Sequence, residues 1–120
     1  MANILAADDS ASMRQMVAFA LGNAGHTVVS ATDGAEAFER AKEQKFDLVL
    51  TDVNMPLMDG ITLTRELRTL PAYRFVPILI LTTEAGPERK QEGKAAGATG
   101  LIVKPFNPDQ LIAVVKKVLG

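Results

Sequence analysis

Along the chain, short runs that are apolar at nearly every position alternate with stretches in which apolar residues return every third or fourth place, the signatures of covered strands and of amphipathic helices. Asn3 to Ala7 is such a run and ends in Asp8-Asp9; Met13, Met16, Val17, Ala20, Leu21 and Ala24 then share one helical face. Ser12 with Gln15 three places later fits a capping box for that helix, and Gly25 suits a left-handed close. Thr27 to Ala31 predicts a second strand, and Asp33 with Glu36 can cap a helix from about Gly34 to Glu43 that buries Phe38 and Ala41. The third strand, Leu48 to Thr51, runs into Asp52 and a turn-rich stretch through Asp59-Gly60, after which Leu63, Leu67 and Leu70 mark a helix ended by Pro71. Ile78 to Leu81 predicts a fourth strand, entering Thr82-Thr83-Glu84. The helix from Pro87 to just before Gly97 has almost nothing apolar between Glu88 and Lys94, and Gly93 inside it costs about 1 kcal/mol, so it should be loosely held. Leu101 to Val103 predicts the last strand, ending in Lys104-Pro105. Asn107, Pro108 and Gln110 open a final helix whose Leu111, Val114, Val115, Val118 and Leu119 face the core.

Strands and helices in strict alternation with short connections predict a three-layer α/β domain with a parallel sheet and right-handed crossovers, spanning 1–120 as a single domain. Because each helix returns the chain, all five strands point the same way, and Asp8-Asp9, Asp52, Thr82-Thr83 and Lys104 emerge on one edge. Ligands of open parallel sheets bind at that edge. Sequence alone leaves the strand order open; an order of 2-1-3-4-5 would set the first and third strands side by side at the switch point.

Composition narrows the partners. With 120 residues, 48% of them hydrophobic, the chain can build a core without disulfides, and it contains no cysteine. Thirteen basic against fourteen acidic residues, with no basic block, argue against nucleic acid or a membrane surface as a partner. No long apolar run or leader is present, so a cytoplasmic monomer is expected.

Three carboxylates at one edge repel one another unless a cation joins them. Oxygen ligands without thiol or imidazole favour Mg²⁺, with Mn²⁺ as a substitute, and Mg²⁺ held by one or two carboxylates characteristically completes its shell with water and phosphate oxygens. An Asp carboxylate can act as nucleophile toward a phosphoryl group while a hydroxyl and an ammonium steady the transferring oxygens. Asp52, Thr82 and Lys104 have the chemistry for those roles.

Asp8-Asp9, Asp52, Met55-Pro56, Asp59-Gly60, Thr82 and Lys104-Pro105 match, in order and spacing, the receiver domains of two-component response regulators, and the resemblance covers the whole chain. Through Ser10-Ala11-Ser12-Met13-Arg14, Asn54 and Glu84 the chain is most similar to the single-domain, CheY-like chemotaxis group without an output domain. The resemblance implies a flavodoxin-like (βα)5 fold in the order 2-1-3-4-5, of which CheY is itself a standard example, so the order is no independent expectation. It implies phosphorylation of Asp52 by a CheA-type histidine kinase. Mg²⁺ would be held by Asp9 and Asp52 through their side chains, by Asp8 through water and by the backbone carbonyl of Asn54. Lys104 would contact the phosphoryl oxygens, with a cis Lys104–Pro105 bond, and Thr82 would move toward the phosphate. Glu84, like Asn54, would tune the phosphate lifetime. The flagellar motor switch protein FliM and a CheZ-type phosphatase are the further partners it implies. Leu101 departs from the group, which usually carries an aromatic switch residue there; leucine offers a partner no ring.

Plainer readings stand beside these. Asp59-Gly60 reads as a turn without chemistry, His26 as a surface residue, Met13 and Met16 as core, and Met55 and Met58 as packing for their loop. The alternatives to a motor-binding switch are a phosphate sink and a non-motor adaptor. A haloacid-dehalogenase-like hydrolase would share the aspartyl-phosphate chemistry, but its nucleophile belongs to an Asp-x-Asp pattern after the first strand, whereas Asp52-Val53-Asn54 follows the third.

Overall fold

The computed structural model describes residues 2–83 and 86–120. Its elements alternate as β1 (Asn3–Ala7), α1 (Ala11–Asn23), β2 (Thr27–Ala31), α2 (Gly34–Glu43), β3 (Leu48–Asp52), α3 (Gly60–Leu67), β4 (Ile78–Thr82), α4 (Pro87–Ala96), β5 (Gly100–Val103) and α5 (Pro108–Leu119), with a 3-10 turn at Pro71–Tyr73. The strands form one parallel sheet in the order β2-β1-β3-β4-β5, the flavodoxin-like arrangement. Register pairs Ala7 with Thr51 across β1 and β3, Asp52 with Leu81 across β3 and β4, and Thr82 with Val103 across β4 and β5.

Strand side chains alternate between two covered faces. Ile4, Ala6, Leu48, Leu50, Leu79, Leu81 and Ile102 meet Val17 and Leu21 of α1 and Leu111 and Val115 of α5. On the other face Leu5, Ala7, Val49 and Ile78 meet Ala37 and Ala41 of α2 and Leu63 and Leu67 of α3. A smaller cluster of Val53, Ile61, Ile80 and Ala96, with Leu101 beside it, is what α4 packs on. Only Gly93 and Ala96 of α4 are buried, as its charged sequence leads one to expect.

Local signals differ from expectation in instructive places. The cap of α1 is Ser10, whose side chain accepts from the Met13 N–H at 3.3 Å, and not Ser12, which lies inside the helix. Asp8 Oδ1 accepts the Ser10 N–H at 2.9 Å, and Ser10, extended, starts the helix at Ala11, two residues before a Ser12 cap would. Gly25 does take positive φ, 96°. Asp33 caps α2 and Asn107 with Gln110 forms a capping box on α5, both as the sequence predicts. Ala37 is fully buried in α2, whereas Phe38 is only partly so. Leu70 lies beyond α3, in the turn before Pro71. His26 is half-buried and structural, its Nδ1 accepting the Ala2 N–H at 3.2 Å.

One arginine joins the lower pole of the molecule. Arg68, just after α3, donates to the carbonyls of Tyr73 and Val76, both at 2.7 Å, and through Nε at 3.0 Å and Nη2 at 2.8 Å to Gly97 at the end of α4. Among the described residues no helix is long and apolar enough to cross a membrane.

Candidate functional site

Side-chain alternation carries the inner-face row of each strand past its end. Asp8 continues the row of Ile4 and Ala6, Asp52 that of Leu48 and Leu50, and Lys104 that of Ile102. Because Ala7 is level with Thr51, Asp8 arrives level with Asp52. Carboxylate oxygens of Asp8, Asp9 and Asp52 all lie within 4.8 Å of one another.

Lys104 begins two strands away from Asp52, and adjacent strands are about 4.8 Å apart. Its four-carbon stem spans β4 and brings Nζ to 3.0 Å from Asp52 Oδ1 and 3.4 Å from Asp8 Oδ2. These side chains are only 4% (Asp8), 13% (Asp52) and 15% (Lys104) exposed, so their charges interact with little solvent screening. The Lys104–Pro105 bond is cis. Arg14 reaches back from α1 to donate to the Asp8 carbonyl at 2.7 Å.

Burial pushes the Asp52 carboxyl up, the Asp8 carboxylate adds to that, and the Lys104 ammonium and the Val53 N–H offset only part of it; the net result is above the ordinary carboxylate value. For Lys104 burial acts downward, but its bond to Asp52 and the charges of Asp8 and Asp52 outweigh it and hold the ammonium above its ordinary value. Asp52 is thus a carboxylate with unmet demand for positive charge. The donor set, three carboxylates with no sulfur or imidazole among them, fits a hard divalent cation such as Mg²⁺.

The other predicted residues take varied places. Thr82 is buried at the end of β4, one residue past the partner of Asp52, and its carbonyl accepts from the Lys104 N–H at 2.7 Å. Asn54 is exposed and lines a polar cleft with Asp59, Thr62, Arg65 and Arg89. Leu101 packs inward, its Cδ1 3.1 Å from where a side chain on Gly93 would begin. Glu84 lies outside the described residues.

Two residues beside the carboxylates were passed over by sequence reasoning. A methyl group on Gly60 would overlap the Asp52 carbonyl oxygen, so Asp59-Gly60 is more than a turn: Asp59 caps α3 and Gly60 lets that helix press on the strand end. Thr51, fully buried, donates its hydroxyl to the same carbonyl at 3.0 Å. The signal for Thr51 was present, a polar side chain closing an otherwise apolar strand.

Comparison with known proteins agrees with this geometry. A family model described as the response regulator receiver domain matches residues 4–116. A chemotaxis protein CheY homolog of Campylobacter jejuni is 36% identical over 119 residues, 98% of this chain and 92% of its own length. The gliding motility regulatory protein of Myxococcus xanthus is 41% identical over 101 residues, 84% of this chain, but these span only 13% of that larger protein. Likewise the chain spans 56% of the probable transcriptional regulator ycf29 of Porphyra purpurea. Among solved structures, the chemotaxis response regulator CheY4 of Vibrio cholerae superposes with a TM-score of 0.95 at 52% identity, covering 98% of both chains. With its sheet order, its acidic strand ends and these relatives in agreement, the chain belongs to the response regulator receiver domains.

Proposed function

We propose that this protein is a CheY-type phosphorylation switch of a two-component relay. Asp52 accepts the phosphoryl group, Asp9 and Asp52 would hold Mg²⁺ through their side chains, with Asp8 through water and Asn54 through its backbone carbonyl, and Lys104 and Thr82 would contact the phosphoryl oxygens. The observation that carries the reading is the reach of Lys104 Nζ to both Asp52 and Asp8 across a neighbouring strand. Bound Mg²⁺ supplies charge neutralisation for the carboxylates and for the phosphoryl oxygens.

From a phosphohistidine of a CheA-type kinase, an Asp52 oxygen forms the new P–O bond as the P–N bond breaks, and the freed imidazole takes up a proton. Lys104 keeps its proton throughout, since its neighbours hold it above the ordinary lysine value. Its ammonium, now bonded to Asp52, is placed to follow the negative charge onto the phosphoryl group. Water later cleaves the acyl phosphate, so the protein turns over only its own modification.

The output is a change in partner binding. For the motor switch as target, support comes from the likeness to chemotaxis regulators. For a phosphate sink or a non-motor partner, support comes from Leu101, which is packed beneath α4 and has no ring to present.

The test is direct. With Mg²⁺ and acetyl phosphate the protein should gain one acid-stable, base-labile phosphate, and Asp52→Asn should gain none. Labelling that survives in Asp52→Asn would refute the assignment. A pull-down with and without a stable phosphoryl mimic then separates motor binder from sink.

A further inference from the structure

We propose that Thr51 is a positioning residue for the Asp52 carboxylate, acting through the hydroxyl bond it makes to the Asp52 carbonyl where α3 presses Gly60 against the strand end. The inference rests on the reading of Asp52 as the phosphoryl acceptor.

Thr51 sits on the outer face of β3 with no solvent exposure, in a row otherwise filled by apolar residues such as Val49. Valine would fill the same space, so packing alone does not call for a hydroxyl, and a buried hydroxyl must find a partner. It finds the carbonyl of the next residue, 3.0 Å away. The β1–β3 pairing ends at Ala7 and Thr51, so Asp52 stands just where that ladder stops.

The same carbonyl also meets α3. Gly60 packs its bare α-carbon there, and the Thr51 hydroxyl oxygen lies 3.1 Å from where a Gly60 side chain would start. Gly60 is itself held, its N–H donating to the Val53 carbonyl at 2.8 Å and its own carbonyl accepting the buried Thr64 hydroxyl at 2.8 Å. The Asp52 carbonyl is thus held by a hydroxyl bond and by close packing against a glycine. Rotation of that peptide would swing the side chain carried on the same α-carbon, and a displacement of about 1 Å in a reacting group can cost about a hundredfold in rate.

Thr51→Ala and Thr51→Ser form the decisive pair, because both lose the methyl group and only one retains the hydroxyl. Phosphorylation is followed with acetyl phosphate at saturating Mg²⁺, well below the melting transition, together with the Mg²⁺ dissociation constant. Thr51→Ala should phosphorylate about tenfold more slowly than wild type while Thr51→Ser stays within about twofold. Mg²⁺ affinity should weaken in the same order. Equal rates for the two variants would overturn the proposal, since Ser and Ala differ there only in the hydroxyl. Should Thr51→Ala fail to fold, Thr51→Val replaces it, filling the space without the hydroxyl; a wild-type rate there would be equally fatal. Loss of labelling in Asp52→Asn with equal Thr51 variants would sink this inference alone, whereas labelling of Asp52→Asn would sink the functional reading beneath it.

Discussion

Lys104 shows how much one side chain can decide. Its ammonium is the positive charge that faces Asp52 and Asp8, and those carboxylates in turn keep it protonated. Folding raises both Asp52 and Lys104, but the consequences run in opposite directions. Lys104 contributes stability that is fully present at neutral pH and is lost only as pH climbs through its raised value. Asp52 binds its proton more tightly folded than unfolded, so its contribution declines as pH rises from the ordinary carboxylate range through its raised value. Replacing Lys104 with Met should therefore lift Asp52 still further, read as a higher midpoint of its side-chain carboxyl resonance in Mg²⁺-free buffer; an unmoved midpoint would mean that the ion pair does not persist in solution. Asp52→Asn should leave the metal-free protein more stable by on the order of 1 kcal/mol, because it relieves the burial and the Asp8 repulsion that raise Asp52 while Lys104 keeps Asp8 as its partner.

At the scale of elements, α4 stands apart from the other helices. It buries little, its first turn has no side-chain cap, and its far end is held by the Arg68 guanidinium on the Gly97 carbonyl. Segments with few buried apolar contacts open at the lowest free energy, so amides of α4 should exchange with solvent faster than those of α5, whose capping box and buried Leu111 and Val115 tie it down. Equal protection would contradict the picture of α4 as a loosely held helix. Arg68→Met leaves the carbonyls of Tyr73, Val76 and Gly97 short of a donor and should cost about 2 to 3 kcal/mol by denaturant unfolding. Sequence reasoning predicted the weakness of α4 from its charged run but not its anchor. Arg68 looks like any surface arginine until the fold brings the 73–76 segment and the end of α4 around it.

For the whole molecule, cation binding should appear as stability. A ligand that binds only the folded state adds RT ln(1 + [L]/Kd), about 2.7 kcal/mol at a hundred times Kd, so Mg²⁺ should raise the unfolding midpoint of the wild-type protein. The rise should shrink markedly in Asp52→Asn, which lacks one of the three converging carboxylates. A rise of the same size in both would place the cation elsewhere. Such linkage has a structural basis here: the carboxylates come from the ends of β1 and β3, which converge only when the sheet forms.

The elements were legible in the sequence because strand and helix differ in the period of their apolar residues, and because Asp33, Asn107 and Gln110 are local signals that act on their own backbone. Asp8, Asp9, Asp52 and Lys104, which the structure brings together, were legible for the same reason, as polar groups at the ends of apolar runs. What the chain could not state in one dimension is register. Ser10 displaced Ser12 as a cap because Asp8 folds back on it, and Asp59-Gly60 proved to be a contact because α3 returns to the strand it left. The alternation of residues thus determined that Asp8, Asp52 and Lys104 would leave the sheet at one edge. Only the tertiary structure, by setting Ala7 level with Thr51 and placing β5 two strands from β3, decided that an ammonium would span the gap between them, since distance across a sheet depends on pairing and not on separation along the chain.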